Sequence, residues 1–460
     1  MRLLSGFFLV LILFCSSFAR ETPRVIVLTD ISNEPDDEQS MVRFLVYSNQ
    51  YDVEGLIATT SVWLQDTTRA DLIHRQIDAY EQVRPNLLVH EPDFPPADAL
   101  RAVIRTGQTG FGMQAVGAGL SSPGSDHIIE IVDRADERPV WISVWGGTNT
   151  LAQALWDVRR NRSEQELEAF VSKLRVYTIG DQDDAGRWLR LSFPDLYYIV
   201  SPTSVHWREY YTCTWTGIAG DLHYQNGPMH HFELVDNPWL TEHIIKHHGP
   251  LGALYPRVEY IMEGDTPSFL NLIDNGLGSH IDPSYGGWGG RYELYQSYAE
   301  IRPIYTNARD TYTAENGITS TSAQATIWRW RQAYQHDFAA RMDWCITSDY
   351  TQANHNPNAV IDGDGGTDVL RIETAGGQTV RLSAQGSFDP DQDDMDISWF
   401  VYPEAGTMDL QLTDDTGFQT SFVAPHPDVE DTEVHVILQV KDYGEPNLFS
   451  YRRAIVIIRK

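Results

Sequence analysis

The sequence predicts an α/β domain with a mostly parallel sheet flanked by helices, followed by an all-β sandwich domain. A chain of 460 residues is too long for one ordinary hydrophobic core. Apolar segments alternate with helical segments over 21–345, as a parallel sheet requires. From 356 to 460, short alternating apolar segments are separated by turn residues, which is typical of an antiparallel sandwich.

Residues 1–20 have the features of a secretory signal peptide. Arg2 precedes an apolar run from Phe7 to Phe14, and small residues follow up to Ala19. This run is too short to span a bilayer. We therefore expect cleavage near Ala19 and a secreted or periplasmic product.

The formal net charge of −30 excludes two classes of partner. A protein this acidic repels nucleic acid and anionic membranes, so we expect neither. After the predicted cleavage only Cys213 and Cys345 remain, which excludes a scaffold held by many disulfides. These two cysteines are either bridged to each other or buried as free thiols, and the sequence leaves both alternatives open.

The predicted elements of the first domain follow one another as strand and helix. The strands lie at 25–28, 53–58, 140–145 and 174–179, and the helices at 38–47, 67–82, 126–134, 148–159 and 323–344. Several strands end in polar or glycine-rich turns, and these turns share one side of a parallel sheet. Ligands of open α/β sheets bind on that side.

The turn after the first strand concentrates acidic residues. Asp30, Glu34, Asp36 and Asp37 follow the apolar strand at 25–28 within a few positions. Carboxylates this close repel one another unless a cation neutralises them, and ligands that are all oxygen suit Ca²⁺ best. The plain alternative is a solvated acidic turn that caps the next helix.

This turn also carries a family resemblance. TDISNEPDDEQSMVRFLVYSN, together with EGLIATTS, resembles the secreted nucleoside-hydrolase-like family described as cellulose-binding proteins. The strand, the Asp and the Asp pair at a helix start are similar to the calcium-binding signature of nucleoside hydrolases. The loop between Asp30 and Asp36 is longer here, with five residues at 31–35. The resemblance implies a nucleoside-hydrolase-like fold over most of 24–344.

Two further motifs extend the implied calcium site. SVWGGTNTLAQAL is similar to a strand-to-helix turn in which the residue before the glycines, here Trp145, gives its carbonyl oxygen to calcium. EGDTPSFL places Asp265 where the hydrolases have their last calcium carboxylate. The implied metal ligands are thus Asp30, Asp37, Asp265 and the Trp145 carbonyl. The hydrolases have a His before that Asp, whereas this chain has Gly264, so their catalytic acid is not carried over.

Other residues are candidates for binding a sugar. Gln182 and Asp183, in GDQDDAGRW, either hold sugar hydroxyls or belong to an ordinary acidic loop. Asn149 either contacts the ligand or satisfies backbone groups in a tight turn. Tryptophan rings stack on sugar rings, and the candidates after strands are Trp63, Trp145, Trp188 and Trp288. The segment GGWGGRY around Trp288 is predicted to close over a ligand.

The second domain has its own recognisable segments. HNPNAVIDGDGGTD is a polar linker or domain entry. GQTVRLSAQGSFDPDQDDMDISWFV resembles immunoglobulin-like modules of extracellular polysaccharide-active proteins. Its acidic run at 389–394 either binds a second, structural Ca²⁺ or is an acidic loop. We expect the domain to have few contacts with the first and to bury Trp399.

The resemblance implies calcium-dependent hydrolysis of a carbohydrate-derived N- or O-glycoside. In this scheme Asp30 accepts a proton from water, and Asp36 holds a ring hydroxyl. Plant or algal polysaccharide is the expected source of substrate. The alternative is a non-catalytic protein that binds cellulose or another carbohydrate, and a third alternative is a structural adhesin. Motifs of serine hydrolases, zincins and phosphate-loop NTPases do not occur in the sequence.

Overall fold

The computed structural model describes residues 22–32, 34–203, 206–219, 231–297, 299–314, 317–427 and 430–460. The predicted signal peptide lies outside these residues. The first domain is built on a sheet whose strands, within the described residues, are β1 (Arg24–Thr29), β2 (Asp52–Ala58), β3 (Ile104–Thr106), β4 (Val140–Val144), β5 (Leu174–Gly180), β6 (Tyr197–Ser201), β7 (Tyr292–Tyr295) and β8 (Ile304–Asn307).

The strand order places β1 at the centre of the sheet. The order is β3-β2-β1-β4-β5-β6-β8-β7, and every pair is parallel except β7 with β8. The chain proceeds from β1 through β2 to β3 in one direction and from β4 through β5 to β6 in the other. The carboxyl ends of β1 and β4 therefore flank the crevice in which ligands of such sheets bind. The predicted fold class is confirmed.

Helices cover both faces of this sheet. They are α1 (Pro35–Val46), α2 (Ala70–His90), α3 (Ala97–Ala102), α4 (Pro123–Asp133), α5 (Asn149–Asn161), α6 (Glu164–Ser172), α7 (Ala185–Ser192), α8 (Asn237–Leu240), α9 (Gly249–Gly252), α10 (Pro267–Leu270), α11 (Ala325–Trp328) and α12 (Arg331–Trp344). A short hairpin, β9 (Asp310–Thr313) and β10 (Thr319–Ser322), precedes α11.

The four apolar residues of β1 explain why it lies in the centre. Val25 and Val27 pack into one core cluster with residues of α1 and α2. Ile26 and Leu28 pack into the other cluster with residues of α4 and α5. Successive side chains of a strand point to opposite faces, so an uninterrupted apolar run fits a strand that is covered on both.

Two predicted helices differ from the structure. The helix predicted to end at residue 82 continues as α2 to His90, because Val83 and Leu87 extend its buried stripe. The helix predicted at 323–344 is two helices, α11 and α12. Between them Trp330 packs edge-on against Tyr451 of the second domain, with ring centroids 5.3 Å apart. The backbone of Trp330, with φ −106° and ψ 1°, departs from helical geometry at this point.

The second domain is all-β. One sheet has the order β11-β16-β15-β13, formed by β11 (Leu370–Ala375), β13 (Met395–Val401), β15 (Thr432–Asp442) and β16 (Phe449–Arg459). The other pairs β12 (Thr379–Ser383) with β14 (Gln419–Val423). Trp399 is buried in the core between them, as expected.

The expectation of few contacts between the domains is wrong. Arg453 of β16 is fully buried and donates hydrogen bonds to the main-chain oxygens of Leu277, Tyr285 and Gly286 in the first domain. The Tyr402 hydroxyl donates to Asp310 at 2.5 Å. Apolar residues of both domains also share one core cluster. The two cores are therefore joined by buried contacts.

Two smaller points follow from the described residues. Cys213 and Cys345 are both buried free thiols, so the bridged alternative does not apply. Among the helices described, none has both the length and the apolar character needed to cross a bilayer.

Candidate metal centre

The candidate site lies where four neighbouring strands reach their carboxyl ends. Asp30 follows β1, Ser61 lies just beyond β2, Trp145 follows β4, and Gln182 lies just beyond β5. These strands are adjacent in the sheet, so residues far apart in sequence meet at one edge. This is the side of the sheet at which a ligand was expected from the sequence.

Three buried carboxylates form the centre of the site. Asp36 and Asp37 lie in the first turn of α1, and Asp265 lies just before α10. Each offers one oxygen, and these oxygens lie within 4.8 Å of one another. Oxygens at such distances can share one hard cation, since Ca²⁺ binds oxygen at about 2.3–2.6 Å. One of the two Asp265 oxygens, Oδ2, is buried without a hydrogen-bond partner.

This group differs from the ligand set implied by the resemblance. That set combines Asp30 with Asp37 and Asp265, whereas the structure groups Asp36 with Asp37 and Asp265. Since α1 begins at Pro35, both acids belong to its first turn and lie close to Asp265. Asp36 was expected to hold a sugar hydroxyl. Asp30 as a metal ligand stays a prediction.

Asp30 lies beside this group rather than in it. It is 5% exposed, and its Oδ2 accepts a hydrogen bond of 2.5 Å from the Ser61 hydroxyl. Its Oδ1 is buried with no hydrogen-bond partner. A β-carbon on Gly146 would lie 2.4 Å from that oxygen, so only glycine fits there. Burial raises the pKa of Asp30 to about 6.

Burial and mutual repulsion raise the pKa of the acidic residues. Burial, followed by the charge of neighbouring carboxylates, raises the pKa of Asp36, Asp37 and Asp265 well above the usual range. The same two causes raise the pKa of Glu34 to about 7. A cluster that resists ionisation in this way is stabilised by a cation that neutralises it. Glu34 belongs to the acidic turn, but no role was predicted for it from the sequence. Its position between Asp30 and the Asp pair is the feature that could have indicated its part in the site.

A buried ion pair holds the segment that carries Asp265. Arg43 Nε lies 2.6 Å from Glu263 Oε2, and both side chains are fully buried. Tyr255 and Thr266 donate hydroxyl hydrogen bonds to the same carboxylate. Since Arg43 belongs to α1, the pair ties α1 to the loop before α10 and keeps their acids together.

Gly264 fills a place where a larger residue does not fit. A β-carbon at this position would lie 2.8 Å from Asp36 Oδ2 and 3.1 Å from the ring of Trp215. Trp215 is itself 4% exposed and cannot readily move aside. The His that nucleoside hydrolases have before the last calcium carboxylate is thus excluded here by packing as well as absent from the sequence.

The Trp145 carbonyl has a partner that was not expected. Gln182 Nε2 donates a hydrogen bond of 2.6 Å to it, and Gln182 Oε1 is buried without a hydrogen-bond partner. The Trp145 ring is fully buried against Phe44 and Phe269, and its nitrogen donates to Ser143. The ring is therefore core. A carbonyl oxygen has two lone pairs, so the predicted calcium contact is compatible with this hydrogen bond.

Asn149 and Asp183 serve the turn between β4 and α5. Asn149 Nδ2 donates to Thr60 Oγ1 and to the main-chain oxygen of Gly110. Asp183 accepts from the Thr148 hydroxyl, the Asn149 main-chain nitrogen and a further main-chain nitrogen, at 2.9–3.0 Å. Both side chains are buried. For Asn149, the plain alternative of a tight turn describes the structure better than a sugar contact.

The predicted tryptophan platforms are only partly available. Trp145 and Trp288 are 0% and 2% exposed, and Trp288 lies beside Tyr451 of the second domain. The assignment of Trp288 to substrate is therefore wrong, because its ring is packed at the domain junction. The whole segment 286–292 is buried and is not a loop that closes over a ligand. Trp63 and Trp188 are half-buried and retain an accessible part.

The acidic run at 389–394 is engaged in hydrogen bonds. Asp389 Oδ1 accepts from the main-chain nitrogens of Asp391 and Asp393. Asp391 accepts from the main-chain nitrogen of His355 and lies 3.0 Å from its ring. Among the described residues, this run does not contribute to a group of three metal-ligating side chains. A second calcium ion there stays a prediction.

Comparison with known proteins covers both domains. Residues 24–292 match the family of cellulose-binding Sde182, nucleoside hydrolase-like domain, and residues 379–458 match the C-terminal domain of the cellulose-binding protein Sde0182. No curated protein matches the chain.

Two solved structures illustrate the range of similarity. A nucleoside hydrolase-related hypothetical protein from Saccharophagus degradans, associated with carbohydrate metabolism, is 38% identical; the match covers 95% of this chain and 100% of that one with a TM-score of 0.80. The type III effector XopQ, solved with adenosine diphosphate ribose, is 11% identical over 71% of this chain and 95% of that one, and its TM-score of 0.33 is too low to support any inference. The family model spans more than half of this chain, and the relative from Saccharophagus degradans aligns with nearly all of it. The chain therefore belongs to the Sde182 family of cellulose-binding proteins with a nucleoside hydrolase-like domain.

Proposed function

We propose that this protein is a secreted or periplasmic, calcium-dependent glycoside hydrolase that acts on a carbohydrate-derived N- or O-glycoside. One observation carries the proposal: the oxygens of Asp36, Asp37 and Asp265, all buried, lie within 4.8 Å of one another. Without a cation, three buried carboxylates at this distance repel one another strongly. A protein that only holds polymer on its surface has no need of such a group.

Asp30 is the residue to which we assign the proton transfer. Ca²⁺, when bound, would orient sugar hydroxyls and lower the pKa of a water molecule. Ser61 fixes Oδ2 of Asp30 at 2.5 Å, which leaves Oδ1 as the oxygen that accepts a proton from the attacking water. The buried Oε1 of Gln182 supplies an acceptor for a sugar hydroxyl nearby. The resulting chemistry is hydrolysis through an oxocarbenium-like transition state.

The substrate class is inferred from the relatives and from the sequence. The family descriptions name cellulose binding, and the relative from Saccharophagus degradans is associated with carbohydrate metabolism. The sequence features of a signal peptide favour action outside the cytoplasm. A glycoside released from plant or algal polysaccharide fits both, and the charge of −30 argues against nucleic acid.

A second candidate function is binding without catalysis. The observation that favours it is Gly264, which leaves no side chain at the position where the hydrolases have their His. In this alternative the metal centre would only shape a carbohydrate-binding cleft. Hydrolysis distinguishes the two functions directly.

The experiment compares the wild type with Asp30→Asn and Asp37→Ala on nucleosides, furanosides and plant oligosaccharides, with calcium or with a chelator. We expect sugar release that the chelator abolishes. Asp30→Asn keeps the shape of the side chain but cannot accept a proton, so it should retain sugar binding and lose most of the turnover. Asp37→Ala should lose calcium as well. A wild type that binds both calcium and glycan tightly yet hydrolyses nothing would leave binding as the function.

A further inference from the structure

A second concave region lies beside the metal centre at the same edge of the sheet. It is an open groove of about 680 Å³, beyond the carboxyl ends of β5, β6 and β8. Its lining includes Asp181, Arg190, Thr203, Glu293, Tyr295 and Glu300. The volume falls within the roughly 300–1,000 Å³ of pockets that bind small molecules. None of these residues belongs to the metal centre.

One arginine of the groove holds two of its carboxylates. Arg190, 4% exposed, donates two hydrogen bonds of 2.8 Å to the two oxygens of Asp181 and one of 3.0 Å to Glu300. A buried guanidinium that holds two carboxylates fixes their direction. Each carboxylate keeps further lone pairs that can accept hydrogen bonds from a ligand. Pairs of sugar hydroxyls are donors that suit such acceptors.

One side chain separates the groove from the metal centre. A β-carbon on Gly264, beside Asp36, would lie 3.1 Å from the Trp215 ring. A β-carbon on Gly180 would lie 3.9 Å from Trp215 Nε1 and 3.3 Å from the Thr203 hydroxyl, which lines the groove. The metal centre and the groove therefore lie near opposite ends of one buried indole ring.

The rim and the charge of the groove narrow the class of ligand. Tyr295 of β7 lies at the rim and is 57% exposed, so its ring is available to stack on a sugar. Among the described lining residues, four carry a carboxylate (Asp181, Glu209, Glu293 and Glu300) and two carry a guanidinium (Arg187 and Arg190). The surplus of negative charge favours neutral sugars over uronic acids.

We propose that this groove is a binding site for the neighbouring units of a neutral oligosaccharide whose reacting unit occupies the metal centre. The inference rests on the proposed function, because it assigns the reacting sugar to that centre. It makes the substrate an oligosaccharide rather than a nucleoside or a single sugar, and it makes Tyr295 and Glu293 residues that determine specificity.

The test is titration calorimetry of the calcium-loaded full chain with oligosaccharide series of increasing length, from β-glucan, β-xylan and arabinan, and with oligogalacturonates. We expect affinity for a neutral series to rise about fivefold or more between its shortest and longest members, as one added aromatic contact supplies. Tyr295 and Glu293 are both exposed, so Tyr295→Ala and Glu293→Ala should leave the fold intact. They should remove this gain in affinity while calcium binding stays unchanged.

The control is Phe418→Ala. Phe418 is 50% exposed on the second domain, so this substitution should leave every affinity unchanged. Affinity that does not depend on chain length in any series, or oligogalacturonates bound as tightly as neutral sugars, would overturn the inference. So would a length dependence that survives both groove variants. Hydrolysis of short glycosides without any length dependence would reject the groove and keep the proposed function. Length-dependent binding without hydrolysis would keep the groove as a binding site and reject the proposed function.

Discussion

The side-chain nitrogen Nε2 of Gln182 donates a hydrogen bond of 2.6 Å to the main-chain oxygen of Trp145. This contact joins the ends of β5 and β4 at the point where the sheet opens for a ligand. Gln182→Leu keeps the size of the side chain but leaves that buried carbonyl without its donor. We expect a loss of about 1–3 kcal/mol in the free energy of unfolding, measured with urea, and weaker sugar binding.

Gln82→Leu is the matched control. Gln82 is exposed and also donates its side-chain nitrogen to a carbonyl oxygen, that of Asp78. In water that bond contributes little, so the variant should be nearly neutral. Equal effects of the two substitutions would show that the contact with Trp145 has no special structural role.

The raised pKa values predict how stability depends on pH. Burial raises the pKa of Asp30 to about 6, and burial with the Asp30 charge raises that of Glu34 to about 7. Both groups bind protons more tightly in the folded chain than in the unfolded one. The free energy of unfolding of the metal-free protein should therefore fall as the pH rises from about 4 to about 7. The fall should be on the order of 3 kcal/mol for each group whose pKa is raised by two units.

Calcium should remove this dependence, because a bound cation keeps the carboxylates ionised in the folded state. The measurement is urea unfolding between about pH 4 and about pH 7, with a chelator and with calcium. The same downward slope in both conditions would be evidence that no cation binds at the cluster.

Neutralising one acid of the cluster should have opposite effects with and without metal. Asp37 lies within 4.8 Å of the other ligand oxygens and accepts a hydrogen bond from Thr29. Asp37→Asn keeps this bond but removes one repelling charge, so the metal-free protein should become more stable by on the order of 1 kcal/mol. Calcium affinity should fall at least roughly tenfold.

Asp409→Asn serves as the control for charge, since Asp409 is exposed in the second domain. It should leave both the stability of the metal-free protein and its calcium affinity unchanged. Calorimetric titration with calcium and thermal unfolding in chelator check the two effects. An Asp37→Asn protein that loses stability in chelator would contradict the repulsion on which the metal proposal depends.

The junction between the domains should make them unfold together. Arg453 donates to three main-chain oxygens of the first domain and is fully buried. We expect a single calorimetric transition for the wild type. Arg453→Met leaves these oxygens without their donor, so stability should fall by on the order of 3 kcal/mol or more, and the transition should broaden or divide.

Arg459→Met tests the same substitution on the same strand. Arg459 is 49% exposed and pairs at the surface with Glu373 and Asp431, so its loss should cost less than about 1 kcal/mol. Two separate transitions in the wild type would restore the expectation of independent domains.

Several local features of this protein can be predicted from its sequence. The run Val25 to Leu28 predicted a strand covered on both faces, and the acids that follow it predicted a cation site at the strand's end. Such features depend on residues close together in the chain. Asp265 was placed in the same site through the family resemblance, although more than two hundred residues separate it from Asp37.

Which side chains share that site depends on how the whole chain folds. The first turn of α1 brings Asp36, rather than Asp30, into the group with Asp37 and Asp265. Packing against the second domain makes Trp288 core rather than a sugar platform, although its glycine-rich surroundings suggest an open loop. A sequence pattern states the residue types and their spacing, but the direction and the burial of a side chain depend on segments that reach it only when the chain is folded.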